Sequence, residues 1–186
     1  MKIAVSQREI ILKNSIGDSL VFDGIERSWY KFLSSHTLIA IGNTIKVDSA
    51  LDDIDCLLLT GGPDSYARHM TENSLYKLAV ERNIPIVGIC HGAFAINDLS
   101  GGVNGRCKGH IGTTHSIYME DLNFIVNSYH SQSIKSLGPN MVALAVDTDN
   151  HIEAFKHTSK PIYGIVWHPE RMDTSVLPYE VSTLFL

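Results

Sequence analysis

Ile84-Pro85-Ile86-Val87-Gly88-Ile89-Cys90-His91-Gly92 runs directly into Ala93-Phe94-Ala95-Ile96-Asn97-Asp98-Leu99. The first part is an apolar, strand-like run, and the second suits a helix. A nucleophile between two glycines at a strand-to-helix turn is the thiol version of a nucleophile elbow. The glycines relieve crowding around a strained backbone position, so the Cys90 side chain is expected to stand above a sheet edge. The helix that starts there aims backbone N–H groups and a partial positive charge at the sulfur, which favours thiolate.

The pattern on either side of this unit favours an α/β fold: a mostly parallel central sheet with helices on both faces and additional antiparallel strands in the C-terminal half. Lys2 to Val5, Leu38 to Ile41, Cys56 to Thr60 and Ile84 to Ile89 read as the first four strands. Ile25, Trp29, Phe32 and Leu33 fall at helical spacing, which predicts a helix from about Asp23 to Ser35 with Trp29 in the core. Thr71 reads as the cap of the next helix, whose apolar face holds Leu75, Leu78 and Ala79. Ser100 to Gly105 reads as a loop. His115 to Met119, Phe124 to Asn127, Met141 to Asp147 and His151 to Phe155 follow as strands, the last two joined by a turn at Asp147-Thr148-Asp149-Asn150. Ile162 to Trp167 is the final strand. Pro178 to Leu186 reads as a helix that stops abruptly, so a short further segment is expected beyond it. With no repeat, low-complexity tract or linker, residues 1–186 are expected to form one domain.

Composition excludes several classes. A net charge of −5 without a Lys/Arg cluster argues against a general nucleic-acid binder, though not against a small substrate bearing a nucleotide. No apolar run approaches the ~20 residues of a membrane span. Arg8 and Glu9 interrupt the N-terminus before a signal-peptide core could form, so a cytoplasmic location is expected. Cys56, Cys90 and Cys107 are scattered and odd in number, which speaks against a disulfide framework. Cys56 reads as core, and Cys107 is given no role. His110 and His115 are five apart, and neither zinc-finger spacing nor His-Glu-x-x-His occurs. The sequence therefore predicts no metal site and no cofactor.

A nucleophilic cysteine needs a base brought close by the fold, and the base needs an orienting group. Trp167-His168-Pro169-Glu170 closes the apolar run Ile162 to Val166. His168 and Glu170 lie two apart, so in an extended segment they point to one side and Glu170 can hold the His168 imidazole toward Cys90. Leu57-Leu58-Leu59-Thr60-Gly61-Gly62-Pro63-Asp64 reads as a buried strand ending in a glycine turn. Thiol attack on a carbonyl creates an oxyanion that needs backbone donors, and the N–H groups of Gly62 and His91 are the candidates.

These stretches, with Asn127-Ser128-Tyr129-His130-Ser131-Gln132 and the opening Ala4-Val5-Ser6-Gln7-Arg8, resemble the class I glutamine amidotransferases, most closely their γ-glutamyl hydrolase branch. The resemblance implies a flavodoxin-like fold and a triad of Cys90, His168 and Glu170. It also implies that Ser128, Tyr129 and His130 help bind the glutamyl group. Two positions depart from the family pattern. Phe94 stands where a glutamine usually contacts the substrate, and Val166 stands where glutamine often precedes Trp-His-Pro-Glu. The activity implied is hydrolysis of a γ-glutamyl amide through a γ-glutamyl thioester on Cys90. A specialised relative with this chemistry removes the γ-glutamyl group from γ-glutamyl-CDP-amidate in bacterial capsule synthesis. The alternatives are a glutaminase subunit that passes ammonia to a synthase partner, and a non-enzymatic redox-sensing protein of the same fold.

Overall fold

Alternation along the first strand sorts the core into two layers. Ile3 and Val5 turn to one face of the sheet and Ala4 to the other, and all three are fully buried. The computed structural model describes residues 1–44 and 46–185. Strand β1 (Lys2–Ser6) is followed by a hairpin of β2 (Arg8–Lys13) and β3 (Ser19–Gly24), then α1 (Arg27–Phe32) and β4 (Thr37–Ile41). Next come β5 (Cys56–Leu59), α2 (Tyr66–Glu81), β6 (Ile86–Ile89) and α3 (His91–Leu99). The later part is mainly strands: β7 (Val103–Arg106), β8 (Ile111–Met119), β9 (Leu122–Tyr129), β10 (Gln132–Ser136), β11 (Met141–Asp147), β12 (Ile152–His157) and β13 (Ile162–Ile165). A 3-10 turn, Pro169–Arg171, and α4 (Tyr179–Phe185) complete it.

The main sheet runs β4-β1-β5-β6-β13-β12-β11-β8-β9, with β10 pairing both β12 and β7. Its first five strands are parallel. Numbered among themselves they have the 2-1-3-4-5 order of doubly wound flavodoxin-like sheets, as the sequence predicts. Beyond β13 every pairing is antiparallel. Trp29 of α1, Leu33 just after it, and Val181 and Phe185 of α4 pack with Ile3, Val5, Leu58 and Val87 on one face. Leu75 and Ala79 of α2, and Ala93 and Ile96 of α3, pack with Leu57, Leu59 and Ile86 on the other.

Three local expectations are corrected. The helix predicted over Asp23 to Ser35 is confined to Arg27–Phe32, because Asp23 and Gly24 end a strand that pairs with β2. Helix α2 starts at Tyr66, where the Ser65 hydroxyl accepts from Arg68 N–H at 3.3 Å. Thr71 is therefore inside α2 and donates to Thr44 O at 2.7 Å. The loop expected to end at Gly105 contains β7, which pairs with β10. Leu186, the end of the predicted last helix, lies outside the described residues. The turn joining β11 to β12 is where the sequence places it: Asn150 has φ 62° and Asp147 N–H donates to His151 O at 3.0 Å.

Candidate active site

The parallel strands end along one edge, and the candidate residues stand on the chain just beyond them. Cys90 follows β6, and His168 follows β13, the strand beside it in register Gly88↔Gly164 and Ile89↔Ile165. The Cys90 N–H donates to Ile165 O at 2.8 Å, tying the elbow to the neighbouring strand. Cys90 has φ 50° and ψ −103°, a strained conformation for a residue with a side chain. The flanking glycines make it possible. A Cβ on Gly88 would stand 2.5 Å from the Gly92 carbonyl, and one on Gly92 would stand 2.1 Å from Leu59 O.

His168 Nδ1 and Glu170 Oε1 are 2.7 Å apart, and both side chains are buried. The segment carrying them is not extended, as the sequence suggested, but enters the 3-10 turn at Pro169. The hydrogen bond forms across that turn. Asn127 pins the backbone of His168 from both sides: its Oδ1 accepts from His168 N–H and its Nδ2 donates to His168 O, each at 2.8 Å. The imidazole lies against Gly61, where any Cβ would be 2.4 Å from Cε1. Tyr129 packs edge-on to the same ring at 5.6 Å.

The glycine turn after β5 is held by buried charge. Arg68 donates to Glu72 Oε1 at 2.9 Å, to Pro63 O at 3.1 Å and to Thr60 O. Glu72 also accepts from the Ser6 hydroxyl at 2.7 Å, and its other oxygen is 3.1 Å from His91 Nε2. One carboxylate thus links both segments that supply the oxyanion-hole candidates, Gly62 and His91. Burial opposes ionisation of Glu72, but hydrogen bonding to His91 and the Arg68 charge outweigh it and lower its pKa.

Cys90, His91, Gly62, Phe94, Tyr129 and His130 all line a cavity of about 220 Å³. A smaller annex of about 80 Å³ shares Asp64, His91 and Phe94 with it and adds His69 and Asp98. Ser128 does not line the cavity. It is fully buried, and its hydroxyl donates to His110 O at 2.7 Å. The thiolate expected at Cys90 is not favoured in the resting site. Burial pushes the thiol up to about 12, against the opposing pull of His91 N–H and the Arg171 charge.

The sheet carries a strained cysteine at one strand end and a Glu-held histidine at the end of the neighbouring strand. The profile described as "Glutamine amidotransferase class-I" matches residues 21–178, and the chain belongs to that family. It is 37% identical over 127 residues to a γ-glutamyl-CDP-amidate hydrolase of Campylobacter jejuni, covering 63% of each chain, so the match spans under two thirds of that relative. It is 31% identical over 127 residues to a glutamine-hydrolysing GMP synthase subunit of Methanococcus aeolicus, covering 63% of this chain and 65% of the other. Among solved structures, a glutamine amidotransferase of Thermotoga maritima superposes with a TM-score of 0.69 at 15% identity, covering 91% of this chain and 76% of its own.

Proposed function

We propose that the chain is a single-domain, cysteine-dependent hydrolase of γ-glutamyl amides, with Cys90, His168 and Glu170 as its triad. The delivery of Cys90 and the His168–Glu170 pair by adjacent strands, beside a cavity of about 220 Å³, carries this reading. As the sulfur attacks the γ-carbonyl, His168 takes the thiol proton, which a neutral resting thiol requires. The N–H groups of Gly62 and His91 stabilise the oxyanion. His168 then gives its proton to the leaving nitrogen, and the carbon–nitrogen bond breaks to leave a γ-glutamyl thioester. Next, His168 activates water, whose oxygen enters the γ-carboxylate of glutamate, and the thiol is restored. Glu170 orients the imidazole and stabilises its cation. Tyr129 and His130 line the space for the glutamyl group.

The annex bears on the leaving group. Asp64, Asp98 and His69 suit an amine, whereas the Campylobacter relative points to a nucleotide-linked nitrogen. Similarity to the glutamine-hydrolysing GMP synthase protein of Methanococcus aeolicus supports the second reading, ammonia delivery to a synthase partner. Glutamate release should be followed from glutamine, γ-glutamyl-γ-aminobutyrate, γ-glutamyl-polyamines and γ-glutamyl-CDP-amidate, with Cys90→Ala as control. Cys90-dependent release from a member other than glutamine establishes the hydrolase and names its leaving group, whereas release from glutamine alone favours the glutaminase reading. A Cys90→Ala chain at the wild-type rate would sink the mechanism. Silence on every substrate moves the reading to the partner-dependent glutaminase. Glu170→Gln is expected to slow turnover less than His168→Ala, since water can partly replace an orienting group.

A further inference from the structure

Behind the His130 wall of the cavity lies a second cluster of titratable groups, to which the proposed hydrolysis assigns nothing. His110 precedes β8, His115 is on β8, Asp147 ends β11 and Glu153 is on β12. One donor atom from each lies within 4.8 Å of all the others. The His115 Nε2–Glu153 Oε2 distance is 3.5 Å, and His110 Nε2–Asp147 Oδ2 is 3.6 Å. His130 Nε2 stands 3.7 Å from the other Glu153 oxygen.

These separations are long for hydrogen bonds, and the atoms are short of partners. Among the described residues, both Glu153 oxygens, His115 Nε2 and His130 Nε2 are buried without a hydrogen-bond partner, and Glu153 is only 1% exposed. A buried carboxyl group without a hydrogen-bond partner is costly, and with two imidazole nitrogens beside it likewise unpartnered the observation points to a missing cation. Two of the separations, 3.5 and 3.6 Å, match the about 3.4 Å between ligands 2.0–2.2 Å from a tetrahedral zinc ion. Asp147 is already aimed: its Oδ1 accepts from Asp149 and His151 N–H at 2.8 Å, and its Oδ2 is 2.9 Å from His151 Nδ1. Ligating carboxylates are commonly fixed by such outer partners.

We infer that His110, His115, Asp147 and Glu153 form a closed site for one divalent transition-metal ion, with zinc the best fit. Two imidazoles and two carboxylates suit zinc and its neighbours better than magnesium or calcium, which prefer oxygen alone. The ion clamps β8, β11 and β12 behind His130. This role is structural and independent of the hydrolase reading. It revises the sequence expectation of no metal, because the strands assemble a ligand set that no local spacing announces.

The test uses the full chain carrying Cys90→Ser, which removes the active-site thiol as a competing ligand. The protein is stripped with a chelator and titrated with Co²⁺ and then Zn²⁺. One Co²⁺ per chain is expected, with the visible absorption of a tetrahedral nitrogen–oxygen site, no thiolate band, and displacement by Zn²⁺. Glu153→Gln and His115→Asn should each weaken binding about 100-fold or more with the far-UV circular dichroism unchanged. At saturating Zn²⁺ the unfolding midpoint should rise by about 5 °C. Should either variant fail to fold, X-ray absorption of the zinc-loaded parent decides alone, with two imidazoles and no sulfur expected. A stripped chain that takes up no cation, binding untouched by both substitutions, or sulfur in the coordination shell overturns the assignment.

Discussion

At Cys90 two effects of opposite sign meet. The first turn of α3 presents N–H groups and positive potential to the sulfur, which stabilises a thiolate. Desolvation penalises the charge, and here it is larger, holding the thiol at about 12. The free protein should therefore carry a protonated thiol throughout the neutral range. Its alkylation by iodoacetamide, read against Cys90→Ala, should climb roughly tenfold per pH unit from 7 to 10 without a plateau. A plateau beginning near neutral pH would show instead that the resting site holds a thiolate–imidazolium pair. A second residue-scale prediction concerns Phe94, whose ring lines the cavity at the position where the family resemblance implies an amide. Phe94→Gln restores a hydrogen-bonding partner for a glutamine-like substrate. It should raise kcat/KM for free glutamine relative to the preferred γ-glutamyl amide by roughly tenfold, the value of about one hydrogen bond. An unchanged preference would mean that position 94 does not meet the substrate.

At the scale of elements, Glu26 at the start of α1 ties that helix to the turn carrying Glu170. Its carboxylate takes Arg171 through both Nε and Nη2, at 2.9 and 2.6 Å, and Arg171 lies over the Tyr129 ring. Burial raises the Glu26 pKa, but hydrogen bonds from Arg171 and Ser28, with the Arg171 and Arg8 charges, outweigh it and bring the carboxyl to about 2. A lowered folded pKa gives stability that is present above the unfolded value of 4.5 and is lost as pH falls toward 2. Glu26→Gln should cost about 1–2 kcal/mol at pH 7, and the difference from wild type should vanish near pH 2 in urea titrations. A constant difference across that range would contradict the linkage. The element scale also shows where sequence reading succeeds. The inner parallel strands β1, β5, β6 and β13 and the elbow are legible because both faces of the sheet are buried there, leaving continuous apolar runs between turn signals. The β2–β3 hairpin is not, because it stands off the main sheet. Ile11, Leu12, Val21 and Phe22 are exposed, so no alternation marks them. Strand β7, Val-Asn-Gly-Arg, is too short and polar to announce itself, and β10 reveals itself only by pairing with it and with β12. Cys90, His168 and Glu170 are legible because each sits in a local motif. Ser128 reads as a binding residue only by resemblance, and its burial on His110 O is a matter of tertiary packing.

At the scale of the whole molecule, β13 makes the two kinds of sheet one. It pairs in parallel with β6 and antiparallel with β12, and along the chain the antiparallel strands are inserted between the strand leading to Cys90 and the strand leading to His168. Phe155 of β12 packs where a Cβ on Gly164 of β13 would be, which locks that seam from the side. Neither half can lose its structure without exposing β13, and this predicts a single cooperative unfolding unit. Two tryptophans are placed to test it. Trp29 sits on the helix covering the parallel half, and Trp167 sits at the end of β13, its indole donating to Val176 O at 2.9 Å. With Trp29→Phe and Trp167→Phe, each remaining tryptophan reports on one region. The fluorescence midpoint of each variant in urea should match its own far-UV circular dichroism midpoint to within about 0.2 M. A separation confined to the Trp167 probe would mean that the antiparallel half opens alone. The base would then be carried away from the thiol before the parallel core unfolds, and loss of any Cys90-dependent activity in urea would track the earlier transition.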